Sequence, residues 1–238
     1  MLLRAALLLI AAVAGAQESQ ELARIKARMA EKRPMTWVFT GDSITHGALH
    51  TKGWRSFAEI FAEKVRHEMG RKRDLVINTG ISGDTTGGFM PDLEWRLTRF
   101  KPDVAFVMFG MNDCVKGPDL AGYESNLRAI IAAVRRDGGI PVLMRVNPAV
   151  PGSPREKVVA RLPDYMAAAE KVAKDEKVLV VDHFGDWRRK PADIRRMMND
   201  DIHPNALGHQ EMALRIFATL GLPPGGFTGK LSAPGQGR

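Results

Sequence analysis

Five short apolar runs, separated by segments of helical period, constrain what this chain can fold into more than any other feature. They are Thr36 to Thr40 (TWVFT), Leu75 to Asn78 (LVIN), Val104 to Phe109 (VAFVMF), Pro141 to Val146 (PVLMRV) and Val178 to Val181 (VLVV). All are rich in β-branched residues and lack clean apolar–polar alternation, which suits strands buried on both faces. Between them, apolar residues recur at helix spacing. One series is Trp54, Phe57, Ala58, Phe61, Val65 and Met69, and another is Tyr123, Leu127, Ile130, Ile131 and Val134. Strand and helix in alternation imply right-handed crossovers and a parallel sheet with helices on both faces. At 238 residues, one such domain accounts for the chain.

The ends read differently. MLLRAALLLIAAVAGAQ sets Arg4 before an apolar run from Ala5 to Val13, with small residues at Ala14 and Ala16. This is the pattern of an export signal cleaved after Ala16. An uncleaved anchor is the competing reading, but the run falls short of the roughly 20 residues a bilayer core requires. Glu18 to Lys32 carries Leu22, Ile25 and Met29 at helical spacing, and Pro34 ends it. A last helix runs from Ala206 to Leu220, entered through Pro204, and a Gly- and Pro-rich stretch then reads as a flexible tail. The expected organisation is a signal peptide over 1–16, an N-terminal helix over 17–35, the α/β domain over 36–220 and the tail over 221–238. After cleavage, no stable membrane insertion is expected.

Cys114 is the single cysteine, so no intramolecular disulfide forms and its expected role is packing beside a loop. The net charge of +8 is spread over many helices and mixed with acids, as in ELARIKARMAEKR. It forms no basic stripe interleaved with aromatics, so nucleic acid is not an expected partner. No residue pattern selects an oligomer.

In an open parallel sheet the reactive residues belong in loops leaving the carboxyl ends of the strands. Gly41-Asp42-Ser43-Ile44-Thr45 follows the first strand, Asn78 to Thr85 (NTGISGDT) the second, and Gly110-Met111-Asn112-Asp113 the third. Asp200-Asp201-Ile202-His203-Pro204 opens the last helix. A serine hydroxyl needs a base to take its proton, and imidazole titrates near neutrality. Ser43 is therefore the candidate nucleophile and His203 the base. Asp200, three residues before His203 on the same tight loop, is the acid that orients it. Asp201 is the alternative, with a side chain expected to leave on the other side. The backbone N–H of Ser43, the N–H of Gly83 and the amide of Asn112 are candidate donors to an oxyanion.

These four clusters, in this order, resemble the SGNH hydrolases, also called the GDSL esterase and lipase family. The resemblance runs from about Thr36 to about Leu220, with every block matched. It implies a flavodoxin-like three-layer α/β/α sandwich around a central, mainly parallel five-stranded sheet. It also implies the roles already given to Ser43, Gly83, Asn112, Asp200 and His203, and a shallow site. No cofactor is implied, and no G-x-S-x-G elbow is present.

Other residues carry weaker expectations. Ser43 alone could be a helix cap, and Asp42 shapes its own loop through backbone N–H bonds. Asp42, His46 and Asp84 lie close enough in sequence to Ser43 or Gly83 to be candidate substrate contacts. His46 and His50 divide evenly between binding and loop packing, while His183 leans to a structural role. A metal site from His46, His50 and Asp42 matches no recognised ligand spacing. Trp54 and Trp95 fit apolar helix faces and are expected in the core. The expected function is exported carboxylic ester hydrolysis through an acyl-enzyme, on a small-molecule or glycan ester. Acetyl groups on carbohydrate are favoured through the family's common range. The alternatives are a thioesterase or lysophospholipase for longer acyl chains and a non-catalytic glycan-binding protein.

Overall fold

In the computed structural model, residues 19–47 and 49–224 are described. The export-signal reading on 1–16 and most of the tail reading, from residue 225 onward, lie outside them. Five strands form the sheet: β1 (Thr36–Gly41), β2 (Leu75–Asn78), β3 (Val104–Met108), β4 (Ile140–Arg145) and β5 (Leu179–Asp182). Their order is β2-β1-β3-β4-β5, and every pairing is parallel. This is the flavodoxin-like order. Apart from β2, each strand shifts by one residue, at one end or both, from the apolar run that marks it.

Six of the helices frame the sheet and its edge: α1 (Gln20–Ala30), α2 (Ser43–His46), α3 (Phe57–Glu63), α4 (Leu120–Arg136), α5 (Leu162–Asp175) and α6 (Ala206–Leu220). α1, α3 and α6 pack together on one face of the sheet, and α4 and α5 on the other. The result is three layers. The helices α1, α4 and α6 begin where the sequence offers a cap. Ser19, Asp119 and Asn205 accept the N–H groups of Leu22, Gly122 and Gly208, which otherwise have no helical partner. In α4, Tyr123, Leu127, Ile130, Ile131 and Val134 are all buried, as their spacing requires.

The core is built around β1. Phe39 is fully buried, stacked on Phe106 at 4.4 Å and edge-on to Phe57 and Phe61 at 5.7 and 5.3 Å. β3 is buried along its whole length, but the expectation of two covered faces fails at the margins. β2 is only partly covered, with Leu75 55% exposed, because an edge strand has one neighbour and less of each face lies under helices. The two tryptophans also depart from expectation. Trp54 precedes α3 and is 45% exposed, and Trp95 is 66% exposed beneath the Arg99 guanidinium at 4.0 Å. Among the described residues no helix is long and apolar enough to cross a membrane.

Candidate active site

The carboxyl ends of β1, β2 and β3 deliver three loops to one edge of the sheet, and a fourth segment, 198–205, arrives before α6. Ser43 is the first residue of α2, a single turn. Asp42 caps that turn through Oδ1, which accepts the Ile44 N–H at 2.9 Å. The loop after β2 braces it from outside, where the Asn78 amide donates to the Thr45 carbonyl at 2.7 Å. Gly80 lies so near that a Cβ there would sit 2.6 Å from the His46 nitrogen and 3.0 Å from the Asp42 carbonyl. Only glycine fits against the turn at that separation.

A third brace has no counterpart among the sequence motifs. Arg96, 3% exposed, donates to the Thr79 carbonyl at 3.0 and 3.1 Å and to the Gly41 carbonyl at 3.2 Å, and it pairs with Asp84. One cation thus ties the ends of β1 and β2 together. No local pattern announces it, since its partners are carbonyls distant in sequence.

Ser43 Oγ lies 2.9 Å from His203 Nε2. His203 Nδ1 lies 2.8 Å from Asp200 Oδ2. The second carboxylate oxygen, Asp200 Oδ1, accepts the backbone N–H groups of Ile202 at 2.9 Å and His203 at 2.8 Å. Partial burial alone would raise the Asp200 pKa. The two backbone donors and the imidazole outweigh it and hold the carboxyl below its ordinary value. The neighbouring carboxylate, Asp201, faces away and pairs with Arg195 at 3.0 Å. The loop itself is pinned by the Asn199 N–H on the His203 carbonyl at 2.8 Å and by a bridge between Met198 and Pro204.

Ser43, Gly83, Asn112, His50 and His203 line one open cleft of about 500 Å³. Gly83 holds φ +81°, a backbone conformation that L side chains rarely adopt. The Asn112 amide donates to the Asp84 carbonyl at 3.0 Å and to Asp42 Oδ2 at 3.3 Å. Asp113 ties the β3 loop to Thr86, accepting its N–H at 2.8 Å and its hydroxyl at 2.7 Å, and accepts the Gly110 N–H at 3.0 Å.

Of the other residues singled out in the sequence, Asp42 is fully buried and presents nothing to a ligand. Burial, opposed by its hydrogen bonds, pushes its carboxyl up to about 7. Asp84 is likewise no free substrate contact, because its carboxylate is taken by Arg96 and the Thr85 N–H. His46 is exposed, with Nδ1 3.1 Å from Ser82 Oγ. His183 and His209 are fully buried, and burial lowers both to about 3. Cys114 is buried with its thiol on the Met111 carbonyl at 3.2 Å, and burial raises it to about 12. A thiol held protonated in this way is a poor nucleophile. His50, left undecided by the sequence, stands beside His203.

A flavodoxin-like sheet with serine, imidazole and carboxylate in line at its crevice defines a class, the α/β hydrolytic enzymes. Within it the chain belongs to the GDSL-like Lipase/Acylhydrolase family, whose model matches residues 39–211, and it is a carboxylic ester hydrolase. It is 24% identical over 208 residues to an acetylxylan esterase of Geobacillus stearothermophilus, covering 77% of this chain and 93% of that protein. It is 27% identical over 172 residues to thioesterase 1/protease 1/lysophospholipase L1 of Escherichia coli strain K12, covering 71% and 76%. A Mycoplasma pneumoniae protein of unassigned function is 25% identical over 194 residues, and this chain spans only 22% of its length. Among solved structures, the fold is similar to an α/β hydrolase enzyme from the metagenome of Lake Arreo, Spain. That match has a TM-score of 0.68 and 22% identity, over 80% of this chain and 97% of that one. The fold is also similar to the acetylxylan esterase Axe2 of Geobacillus stearothermophilus, with a TM-score of 0.64 and 19% identity, over 80% and 95%.

Proposed function

We propose that this enzyme cleaves esters through an acyl-enzyme on Ser43. His203 Nε2 takes the Ser43 proton as Oγ attacks the carbonyl carbon, and Asp200 orients the imidazole and stabilises its cation. His203 then gives that proton to the departing alcohol and later activates the water that releases the acid. The Ser43 and Gly83 N–H groups receive the oxyanion. Asn112 joins them by exchanging its 3.3 Å bond to Asp42, the longer of its two, for the developing charge. The observation that carries the mechanism is the unbroken line Ser43 Oγ, His203, Asp200 at 2.9 and 2.8 Å.

The substrate reading rests on the cleft wall. Leu49, Met111, Val115, Val158, Val159 and Ile202 line it beside Ser43, and Leu49, Val115 and Val158 are 77%, 51% and 48% exposed. Exposed aliphatic groups around a nucleophile favour an ester with an apolar acyl chain. Each methylene buried there adds about 0.8 kcal/mol, or roughly fourfold in kcat/KM if the contact persists in the transition state. p-Nitrophenyl esters of graded length test this, with kcat/KM expected to climb from acetate to an optimum at about eight carbons. The second reading is acetyl removal from carbohydrate, supported by the likeness to a named acetylxylan esterase. An optimum at acetate, with turnover of acetylated xylo-oligosaccharides, would establish it and overturn the first. Export follows from the residue pattern of 1–16 and is tested by the amino-terminal sequence of the protein recovered outside the cytoplasm.

A further inference from the structure

The line from Ser43 to Asp200 occupies both ring nitrogens of His203 but neither face of its ring. Two hydrogen bonds at opposite edges fix the positions of Nε2 and Nδ1, yet they resist rocking about the line joining those atoms only weakly. One face is covered by His50. The two imidazoles lie 3.6 Å apart between centroids with planes 3° from parallel. His50 reaches this position from the turn that follows α2, so the segment that carries the nucleophile also carries the cover for its base.

His50 is itself held in place. Its side chain is only 16% exposed, with Nδ1 3.6 Å from Asp200 Oδ2 and 3.4 Å from Asn199 Nδ2. With the Asn199 amide as donor, the neutral ring carries its proton on Nε2. Burial and the neighbouring His203, opposed by Asp200, lower the His50 pKa, which favours the neutral ring. A neutral π-face against an imidazolium is attractive at this separation.

His50, Asp200 and His203 also invite a metal reading, since their ligand atoms lie within 4.8 Å of one another. The stacking argues against it. Imidazole binds a metal through a lone pair in the ring plane, and two parallel planes 3.6 Å apart aim those lone pairs side by side, not at a common point.

We infer that His50 is a positioning residue for the base, its ring stacked on His203 to keep the imidazole in line with Ser43 and to favour the cation formed at each proton transfer. This rests on Ser43 as nucleophile and His203 as base. The test compares wild type, His50→Ala and His50→Phe in two measurements. One is the rate at which a fluorophosphonate probe modifies Ser43, mapped by peptide mass spectrometry. The other is kcat and KM for p-nitrophenyl butyrate. His50→Ala is expected to slow both phosphonylation and kcat by about tenfold with KM little changed, since small misplacements of a reacting group cost up to roughly a hundredfold. His50→Phe keeps a flat ring on His203 and is expected to recover most of the loss. Ser43 modified at the wild-type rate in His50→Ala, with only KM raised, would make His50 a cleft wall and overturn the inference. A His50→Phe enzyme as slow as His50→Ala would overturn it too. If the probe left Ser43 untouched in the wild type, the nucleophile assignment itself would fall.

Discussion

Asp42 is buried where a carboxylate is costly, and replacing it with asparagine should change how stability depends on pH. Its carboxyl is pushed from the ordinary 3.8 up to about 7, by burial first, with the charges of Asp113 and Asp84 adding to it and the Ile44 and Asn112 hydrogen bonds opposing it. Because the folded value is raised, the native protein keeps a proton that the unfolded chain has already released. The stabilisation from this group is therefore complete below the ordinary value, declines as pH rises, and is gone above about 7. At about 1.36 kcal/mol for each tenfold change, the decline amounts to roughly 4 kcal/mol. Asp42→Asn keeps an oxygen to accept the Ile44 N–H but has no charge to bury. Its amide facing that of Asn112 adds an offset that does not vary with pH. Asp113, also raised by burial, is present in both proteins, so its contribution largely cancels from the difference. Urea unfolding of both proteins from about pH 4 to about pH 8 should show Asp42→Asn gaining on wild type by up to roughly 4 kcal/mol. A stability difference that stays flat over this range would refute the reasoning.

Phe39→Ala removes a ring that contacts Phe57, Phe61 and Phe106 at the centre of the core. It should lower the free energy of unfolding by about 3–5 kcal/mol in urea titration. Asp200→Asn should reduce kcat by at least about a hundredfold by disturbing the imidazole tautomer. Asp201→Asn, which disturbs only the pair with Arg195, should leave kcat within about twofold, as expected of an exposed ion pair. Val158→Asp places a charge on the apolar cleft wall and should lower kcat/KM for an octanoyl ester by about tenfold or more while changing acetate turnover much less, read by the same p-nitrophenyl assay.

The parallel sheet was legible because its strands announce themselves locally, as β-branched runs between helical stretches. Their order is not local. β2 looks as apolar as β3 in sequence but stands at an edge, which is why Leu75 lies 55% exposed. The convergence of the candidate site was legible for a topological reason, since four polar clusters fell where strands end or the last helix begins. Asp200 and His203 could be paired because one tight loop carries both. The supports were not legible. Arg96 acts on carbonyls of Gly41 and Thr79, and nothing near residue 96 encodes those partners. His50 sits in a turn with no period, so its approach to His203 exists only once α6 has brought its preceding loop across the sheet. Trp54 and Trp95 misled because their spacing matches an apolar stripe, whereas neither is covered by a neighbouring layer.

The most direct test of the central claim is the site of acyl transfer. Enzyme mixed with excess p-nitrophenyl ester, quenched in acid during the first turnover and digested, should carry one acyl group per chain, on the peptide containing Ser43. Ser43→Ala should carry none and release no p-nitrophenol above background. An acyl group found on another residue, or undiminished turnover in Ser43→Ala, would contradict the account.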